Sequence, residues 1–358
     1  MLIHRVVAPV SGAVSWTVVD DFFEPVEPAE AYLAYLVAVE RSPNTVRAYA
    51  SSLKLWFEHL VRQERAWDAV GLEDVGRFAS WLRAPAEGVI VIDASVAART
   101  PATVNRHLAA VFGLYEFHAR RGVAVAVELV DWRRGGQGSY KPFLDQVGGR
   151  SRRTVRRPVR LRPTRQLPET LTHEQITAVL DACEHLRDRF LIALLAETGM
   201  RIGQALGLRH ADVVSRERTI RIVPRDDNVN GARAKCRSEA AIPVSGGLVR
   251  LYSEYLFGEY GDLDSDYVFV NLFAAPIGRP LGYSAVVGLV DRLRVRTGID
   301  FNLHMFRHTA ASEMIRAGVA IEVVSKLLTH AHVTTTSQIY VHLGVEDLRA
   351  ELTKAGVR

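Results

Sequence analysis

The sequence has little cysteine and no long apolar run. Its 358 residues include two cysteines, Cys183 and Cys236, whose wide separation argues against a disulfide framework and a cysteine-based zinc site. Nowhere do 18 apolar residues follow one another, which is about the length that makes a segment a candidate membrane span. The first 28 residues also lack the apolar run of a signal peptide and reach Asp20 and Asp21 early. We therefore expect a soluble, cytoplasmic protein.

Acidic residues are nearly missing from one central segment. Between residues 133 and 168, eleven Lys and Arg residues stand against one acid, Asp145, so this segment carries +10 while the whole chain carries +5. It is also rich in Gly and Pro and has no apolar period, which is typical of a linker. An arginine run of this kind is often merely solvated or disordered, but between two domains a cationic strap can follow a phosphate backbone. The candidate phosphate-binding residues are Arg150, Arg152, Arg153, Arg156, Arg157, Arg160, Arg162 and Arg165.

Residues 28–132 have the apolar periodicity of helices. The predicted helices are at about 28–40, 43–62, 72–83 and 101–121. The second is the clearest, because Val46, Leu53 and Trp56 recur on one helical face. The pattern predicts a small helical domain, preceded by an N-terminal lead-in, residues 1–27, that is either an extra contact arm or has no separate role.

Residues 169–358 predict a second domain that is mainly α with a small antiparallel β-sheet. The predicted helices are 173–184, 187–197, 247–257, 284–297, 304–317 and 320–328, and the predicted strands are 219–224, 239–244 and 266–270. A polar loop joins the first two strands as a hairpin. In the C-terminal tail, Val345, Leu348 and Leu352 recur at helical spacing and predict an interface helix, which alternatively folds back on its own domain.

Two cationic side chains in this domain occupy positions from which they could reach an anion. Arg201 follows the sequence Thr198-Gly199 and opens a new helix, where free backbone N–H groups favour a negative charge. A lone arginine more often pairs with a neighbouring carboxylate. Lys235 lies near the tip of the predicted hairpin loop, from which an ammonium could reach a phosphate, although many loop lysines are simply exposed.

The remaining candidates lie near the C-terminus. His304 and Arg307 are spaced i, i+3 and so share a helix face. His330 and Tyr340 follow, the latter in a stretch rich in Thr and Ser that is typical of a helix start. A tyrosine at helical spacing is usually a core residue, so a functional interpretation of Tyr340 depends on the other candidate residues of this domain.

Two kinds of site could be built from these residues. Four histidines, His304, His308, His330 and His332, could bind zinc, but the glutamate of the H-E-x-x-H motif is missing and Arg307 would lie beside the cation. Two arginines, a lysine and two histidines suit a phosphodiester better, because forked guanidinium groups match its oxygens. The second interpretation is therefore preferred.

The order of these motifs resembles the tyrosine recombinase, or phage integrase, family. The match consists of TG-x-R at Arg201, a lysine on a hairpin, H-x-x-R at His304 and Arg307, then His330 and Tyr340. The stretch SPNTVRAYASSLKLW also resembles the family's core-binding helices, so the likeness spans most of residues 28–350. It implies a helical core-binding (SAM-like) DNA-binding domain over 28–132, an arginine-rich linker over 133–168 and an α+β catalytic domain over 169–358.

The resemblance implies a role for each catalytic residue. Arg201 and Arg307 would hold the scissile phosphate, and Tyr340 would attack it to form a 3′-phosphotyrosyl link. His304 would assist the tyrosine as a general base, because a phenol with a pKa of about 10 needs help at neutral pH. Lys235 would protonate the leaving 5′-oxygen, with Arg225, Arg233 and Arg237 as alternatives. His330, or else His332, would hydrogen-bond a phosphate oxygen.

The resemblance also implies what the protein works with. Double-stranded DNA would be the partner, bound through the linker arginines, and four protomers would assemble on paired sites, with a monomer or dimer free in solution. No metal, ATP or other cofactor is expected. The alternative is a non-catalytic, sequence-specific DNA-binding protein on the same scaffold. Two positions depart from the family pattern, Gln204 where an acid is usual and Thr329 where a glycine is usual.

Overall fold

A computed structural model describes residues 1–7, 14–85, 98–126, 129, 132–133, 154–155, 159–162, 168–234 and 238–329. The chain divides into two units, Met1–Arg165 and Gln166–Arg358, which we call the N-terminal unit and the C-terminal unit. Their secondary structure is mainly helical with small antiparallel sheets, which confirms the predicted fold class. None of the helices in the described residues is long and apolar enough to cross a bilayer.

The N-terminal unit contains four helices in its described residues. They are α1 (Glu27–Ala38), α2 (Pro43–Arg62), α3 (Leu72–Arg83) and α4 (Pro101–Arg120). The hydroxyl of Ser42 accepts a hydrogen bond from the backbone N–H of Thr45 before α2, and Thr100 caps α4 in the same way. A proline follows each cap, where its missing N–H costs nothing. These start signals explain why the helix bounds could be read from the sequence.

The N-terminal unit also contains a β-hairpin that the sequence analysis did not predict. Strand β1 (Leu2–Val7) pairs antiparallel with β2 (Val14–Val19). Val18 is fully buried, and β2 contacts α1 and α2. The lead-in is therefore part of the packed N-terminal unit.

The core of the N-terminal unit contains a buried polar chain of aromatic residues. The indole N–H of Trp56 on α2 donates to the hydroxyl of Tyr115 on α4 at 3.1 Å. That hydroxyl donates in turn to the backbone carbonyl of Trp67 at 2.7 Å. Trp56 and Tyr115 are completely buried, so these bonds satisfy polar groups that water cannot reach.

Parts of the segment interpreted as a linker have structure. Strands β3 (Trp132–Arg133) and β4 (Thr154–Val155) form a short antiparallel pair. Further on, Val159 packs against the core of the N-terminal unit. Leu161 does the same, and its backbone forms two hydrogen bonds, of 2.8 and 2.9 Å, with the side-chain amide of Asn105. The end of the arginine-rich segment is thereby attached to α4.

The C-terminal unit consists of seven helices and one three-stranded sheet within its described residues. The helices are α5 (His173–Asp181), α6 (Leu186–Thr198), α7 (Ile202–Ala205), α8 (Gly246–Tyr255), α9 (Tyr283–Thr297), α10 (Leu303–Arg316) and α11 (Ile321–Leu327). The strands are β5 (Val213–Val214), β6 (Thr219–Ile222) and β7 (Ala240–Pro243), antiparallel and in that spatial order. A π-helical turn, Leu256–Tyr260, follows α8.

One strand prediction in the C-terminal unit is wrong. Residues 266–270 are not a strand, because they pair with other segments only at single positions, Tyr267 with Arg209 and Val270 with Pro280. Val268 and Phe269 are nevertheless buried. Their apolar run reflects burial in the core, which the sequence pattern alone does not distinguish from strand formation.

Helix α6 lies at the centre of the C-terminal unit. Its fully or almost fully buried residues include Phe190, Leu191, Ile192, Leu194 and Leu195, and it contacts α8 and α10. Gly199 ends the helix with a φ of +61°, a conformation that only glycine adopts without cost. A Cβ atom there would also lie 2.8 Å from Leu328 Cδ2 and 3.1 Å from Ala310 Cβ. The end of α6 can therefore pack closely against α10 and the end of α11.

We expect Tyr115→Phe to destabilise the N-terminal unit by about 1–3 kcal/mol, because the buried Trp56 indole and Trp67 carbonyl both lose their partner. Differential scanning calorimetry of the full chain measures this as a lowered unfolding temperature. Tyr35→Phe is the control, since Tyr35 is exposed on α1. Equal unfolding temperatures for both variants would contradict the role given to the Tyr115 hydroxyl.

Candidate active site

Arg307 is a buried cation that joins three segments of the C-terminal unit. It lies on α10 and is 3% exposed. Its guanidinium donates to the carbonyl of Gly199 at 2.8 Å and to the carbonyl of Leu328 at 2.6 Å. Because an arginine stays charged in proteins, the polar interior around it must stabilise a positive charge. The ends of α6 and α11 are thus fixed to α10 around one cation.

Arg201 lies just beyond the end of α6 and precedes the first residue of α7. Its backbone N–H donates to the side-chain oxygen of Gln204 at 2.7 Å. Its guanidinium reaches the carbonyl of Thr329 at 3.4 Å and the hydroxyl of the same residue at 3.3 Å. Arg201 and Arg307 therefore hold neighbouring residues, 329 and 328, at the end of α11.

The two residues that depart from the family pattern, Gln204 and Thr329, contact each other. The side-chain N–H of Gln204 donates to the Thr329 hydroxyl at 2.8 Å across 125 residues of sequence. Thr329 has a φ of +54°, in the left-handed region where glycine is the usual residue. The turn therefore keeps a conformation suited to glycine although the residue is threonine.

His304 lies one helical turn before Arg307 on α10. The helix start is capped by Asn302, whose side-chain oxygen accepts the backbone N–H of His304 at 2.9 Å. Desolvation of the ring, followed by the effects of His308, Arg307 and Arg201, lowers the pKa of His304 to about 4, although part of the residue is exposed. The imidazole is therefore neutral at pH 7 and has a nitrogen lone pair that can accept a proton.

The loop between β6 and β7 is held close to α7. A Cβ atom on Gly203 would lie 2.6 Å from the backbone carbonyl of Arg233. Ala232 and Ala234, on either side, are buried. Asn230 donates from its side chain to the carbonyls of Leu206 and Leu281, at 3.0 and 2.9 Å. The chain is thus anchored up to residue 234, and Lys235 is next in the sequence.

The alternatives to Lys235 differ in what holds them. Arg225 makes two hydrogen bonds to the carboxylate of Asp212, at 2.7 and 2.8 Å, and this ion pair raises its pKa further. It is therefore a poor proton donor. Arg233 is half-buried next to Gly203, while Arg237 lies outside the described residues.

Several predicted functional residues lie outside the described part of the chain. They are Lys235, His330, its alternative His332, Tyr340, and the linker residues Arg150, Arg152, Arg153, Arg156, Arg157 and Arg165. Arg160 and Arg162 are described, and both are exposed while their neighbours Val159 and Leu161 pack inwards. The predicted interface helix also lies outside the described residues.

The structure brings together Arg201, His304 and Arg307 of the predicted site. Sequence reasoning missed the contribution of Gly203 and the pairing of Gln204 with Thr329. A glycine inside a helical pattern is a signal for close backbone approach, but it does not identify the approaching segment. Within the described residues, no group of three or more His, Cys, Asp or Glu side chains could hold a metal ion.

We expect Gly203→Ala to destabilise the C-terminal unit by about 1–3 kcal/mol, because the new methyl group must displace the Arg233 backbone. Calorimetry of the full chain measures the change. Gly76→Ala on α3 is the control, since a Cβ there meets nothing within 4 Å and alanine favours the helix. An unchanged unfolding temperature for Gly203→Ala would show that the loop is not held against α7.

Comparison with known proteins identifies the family. The phage integrase family model matches residues 169–346, and the model of the phage integrase N-terminal SAM-like domain matches residues 29–122. Transposase A from transposon Tn554 of Staphylococcus aureus is 37% identical over 342 residues, covering 95% of this chain and 93% of the relative. Tyrosine recombinase XerD of Mycobacterium leprae is 31% identical over 342 residues, with coverages of 89% and 93%.

A solved structure shows the same fold. The Tn1549 transposon integrase in complex with transposon right end DNA matches with a TM-score of 0.62 at 16% identity, covering 92% of this chain and 99% of that chain. The family models together cover both the N-terminal helices and the segment that holds Arg201, His304 and Arg307. The chain therefore belongs to the phage integrase family of tyrosine recombinases, which are DNA strand transferases.

Proposed function

We propose that the protein cuts and rejoins duplex DNA through Tyr340, with a 3′-phosphotyrosyl intermediate and without metal or ATP. The observation that carries this proposal is the arrangement of Arg201 and Arg307 around the end of α6, with neutral His304 one turn away. The process is integration, excision or transposition of a DNA segment. The likeness to a transposase over nearly the full chain favours a mobile element.

The two arginines bind the scissile phosphate. Forked guanidinium groups match two phosphate oxygens and stabilise the charge that develops on them in the transition state. Because Arg307 is already held by the carbonyls of Gly199 and Leu328, little reorganisation is needed when the phosphate arrives. The partly buried position of Arg201 also limits solvent screening of its charge.

In the strand transfer, each bond that forms is matched by one that breaks, and side chains of the protein carry the protons, so no external reagent is needed. The oxygen of Tyr340 forms a bond to phosphorus while the bond from phosphorus to the 5′-oxygen breaks. His304 accepts the phenolic proton, and Lys235 donates a proton to the leaving 5′-oxygen, since an alkoxide leaves poorly. His330 donates a hydrogen bond to a phosphate oxygen. A 5′-hydroxyl from another strand reverses the step, because the phosphotyrosyl bond conserves the energy of the broken bond.

DNA binding involves both units. Residues 28–132 serve as the core-binding domain, residues 133–168 as the basic linker and residues 169–358 as the catalytic domain. The exposure of Arg160 and Arg162 supports phosphate contacts by the linker. The DNA in the Tn1549 integrase structure supports the same partner here. We further infer a tetramer on paired sites and action in the cytoplasm, at the nucleoid.

The nucleophile can be tested by covalent capture. We expect wild-type protein mixed with sheared genomic DNA in EDTA, and quenched with SDS, to remain attached to fragments that share one sequence. Tyr340→Phe should leave none, because it lacks the attacking oxygen. Sequencing the attached fragments measures both results and gives the target site. Tyr283→Phe is the matched control, since Tyr283 is exposed in the C-terminal unit.

Other outcomes of the capture experiment have distinct meanings. Adducts in both wild type and Tyr340→Phe would place the nucleophile on another residue. Sequence-specific DNA binding without adducts, on nicked as well as intact DNA, would favour the non-catalytic DNA-binding protein. Adducts that require a divalent metal would overturn the metal-free mechanism.

The general-base role requires a neutral His304, which NMR can test. We expect its ring to titrate at about pH 4, below its ordinary value of 6.5. As the pH falls, the unfolded chain therefore binds a proton at this histidine before the folded state does. The folded state loses stability through His304 between pH 6.5 and pH 4, and His304 does not change the stability above pH 6.5. The measurement is the ¹³Cε1 shift against pH, assigned with His304→Gln. A midpoint above 6.5 would show that His304 is a proton donor near neutrality.

A further inference from the structure

We infer that Gln204 and Thr329 act as one positioning unit, which fixes the Arg201 guanidinium and the turn that leads to His330. This inference rests on the proposed function, because it gives the two residues a role in strand transfer. Neither residue contacts the reacting atoms in the proposed strand transfer. Both act through Arg201 and through the main chain.

Gln204 connects two segments through both ends of its amide. Its oxygen accepts the backbone N–H of Arg201 at 2.7 Å, and its nitrogen donates to the Thr329 hydroxyl at 2.8 Å. The residue is 3% exposed, so water cannot replace these bonds. A carboxylate at this position would accept hydrogen bonds only. The neutral amide can therefore donate to Thr329 as well as accept from Arg201.

Thr329 keeps a backbone conformation that is unfavourable for its residue type. Its φ of +54° brings a β-branched side chain into the left-handed region, which glycine would occupy without strain. What glycine lacks is the hydroxyl, and here this oxygen lies 2.8 Å from the Gln204 nitrogen and 3.3 Å from the Arg201 guanidinium. The hydrogen bonds of the hydroxyl thus offset the free-energy cost of the left-handed backbone. A glycine at this position would not have that cost.

The turn before His330 is held by both arginines. Arg307 donates to the carbonyl of Leu328, and Arg201 reaches the carbonyl of Thr329. The uncharged side chain of Gln204 connects Thr329, which Arg201 contacts, to the start of α7. A shift of Thr329 would therefore move the Arg201 guanidinium as well, which predicts that Gln204 and Thr329 variants are not independent.

Four variants separate positioning from simple stability. Thr329→Val removes the hydroxyl and keeps the β-branched shape, whereas Thr329→Ser keeps the hydroxyl. Thr329→Gly removes the hydroxyl and also the backbone strain. Gln204→Met keeps the length of the side chain without its two hydrogen bonds. Thr177→Val is the matched control, since the Thr177 hydroxyl donates to the carbonyl of His173 within an exposed part of α5.

The test measures single-turnover cleavage of a nicked duplex that carries the sequence recovered by covalent capture. We expect Thr329→Val and Gln204→Met each to lower the rate at saturating DNA by about tenfold, and the double variant to lower it by about tenfold as well, because coupled residues are non-additive. DNA affinity should change little. Thr329→Ser should restore most of the rate. Thr329→Gly should cleave slowly although its unfolding temperature is equal to or above that of the wild type.

The results that overturn the inference differ from those that overturn the proposed function. A double variant about a hundredfold slower, which is the product of two independent tenfold losses, would show that the two residues act separately. Full cleavage by Thr329→Gly would show that the hydroxyl is dispensable. Absence of adducts with wild-type protein would refute the proposed function instead. In that case a thermal-unfolding cycle of the same variants still tests the coupling, and additive losses would contradict it.

Discussion

Helix α10 and the ends of α6 and α11 are held together around one buried charge. Arg307 brings a permanent cation into the interior, and the carbonyls of Gly199 and Leu328 are among the groups that stabilise it. Removing the guanidinium would leave these carbonyls without their donor, while adding a side chain at Gly199 would push α6 away from α10 and Leu328. The same contacts that let the fold tolerate the charge also fix its place beside the turn at Thr329, which Arg201 reaches from the other segment.

The sequence was sufficient for most helices of the described residues, whereas the roles of Lys235, His330 and Tyr340 stay predictions. Proline and hydroxyl caps define the starts of α2 and α4, and apolar periodicity defines their inner faces. The β1–β2 hairpin was missed because its outer strand is largely exposed and has no clear apolar alternation. Residues 266–270 were assigned wrongly because burial and strand formation produce the same short apolar run.

The arrangement of the site could be anticipated only in part. The motifs selected Arg201, His304 and Arg307 as candidates from residue type and order, and the structure places these three close together. The contact between Gln204 and Thr329 depends on two segments 125 residues apart and on a left-handed backbone at a threonine, which no local pattern indicates. Considered alone, Gln204 and Thr329 are each a departure from the family pattern. The structure shows that their side chains are hydrogen-bond partners.

The aromatic core of the N-terminal unit has a practical consequence. All five tryptophans, Trp16, Trp56, Trp67, Trp81 and Trp132, precede residue 166 and so belong to that unit. The intrinsic tryptophan emission of the whole protein therefore originates from one half of the chain. Changes in that emission report on the N-terminal unit, while the tyrosines of the C-terminal unit must be followed by another signal. The protein thus carries a natural fluorescent label on one of its two units.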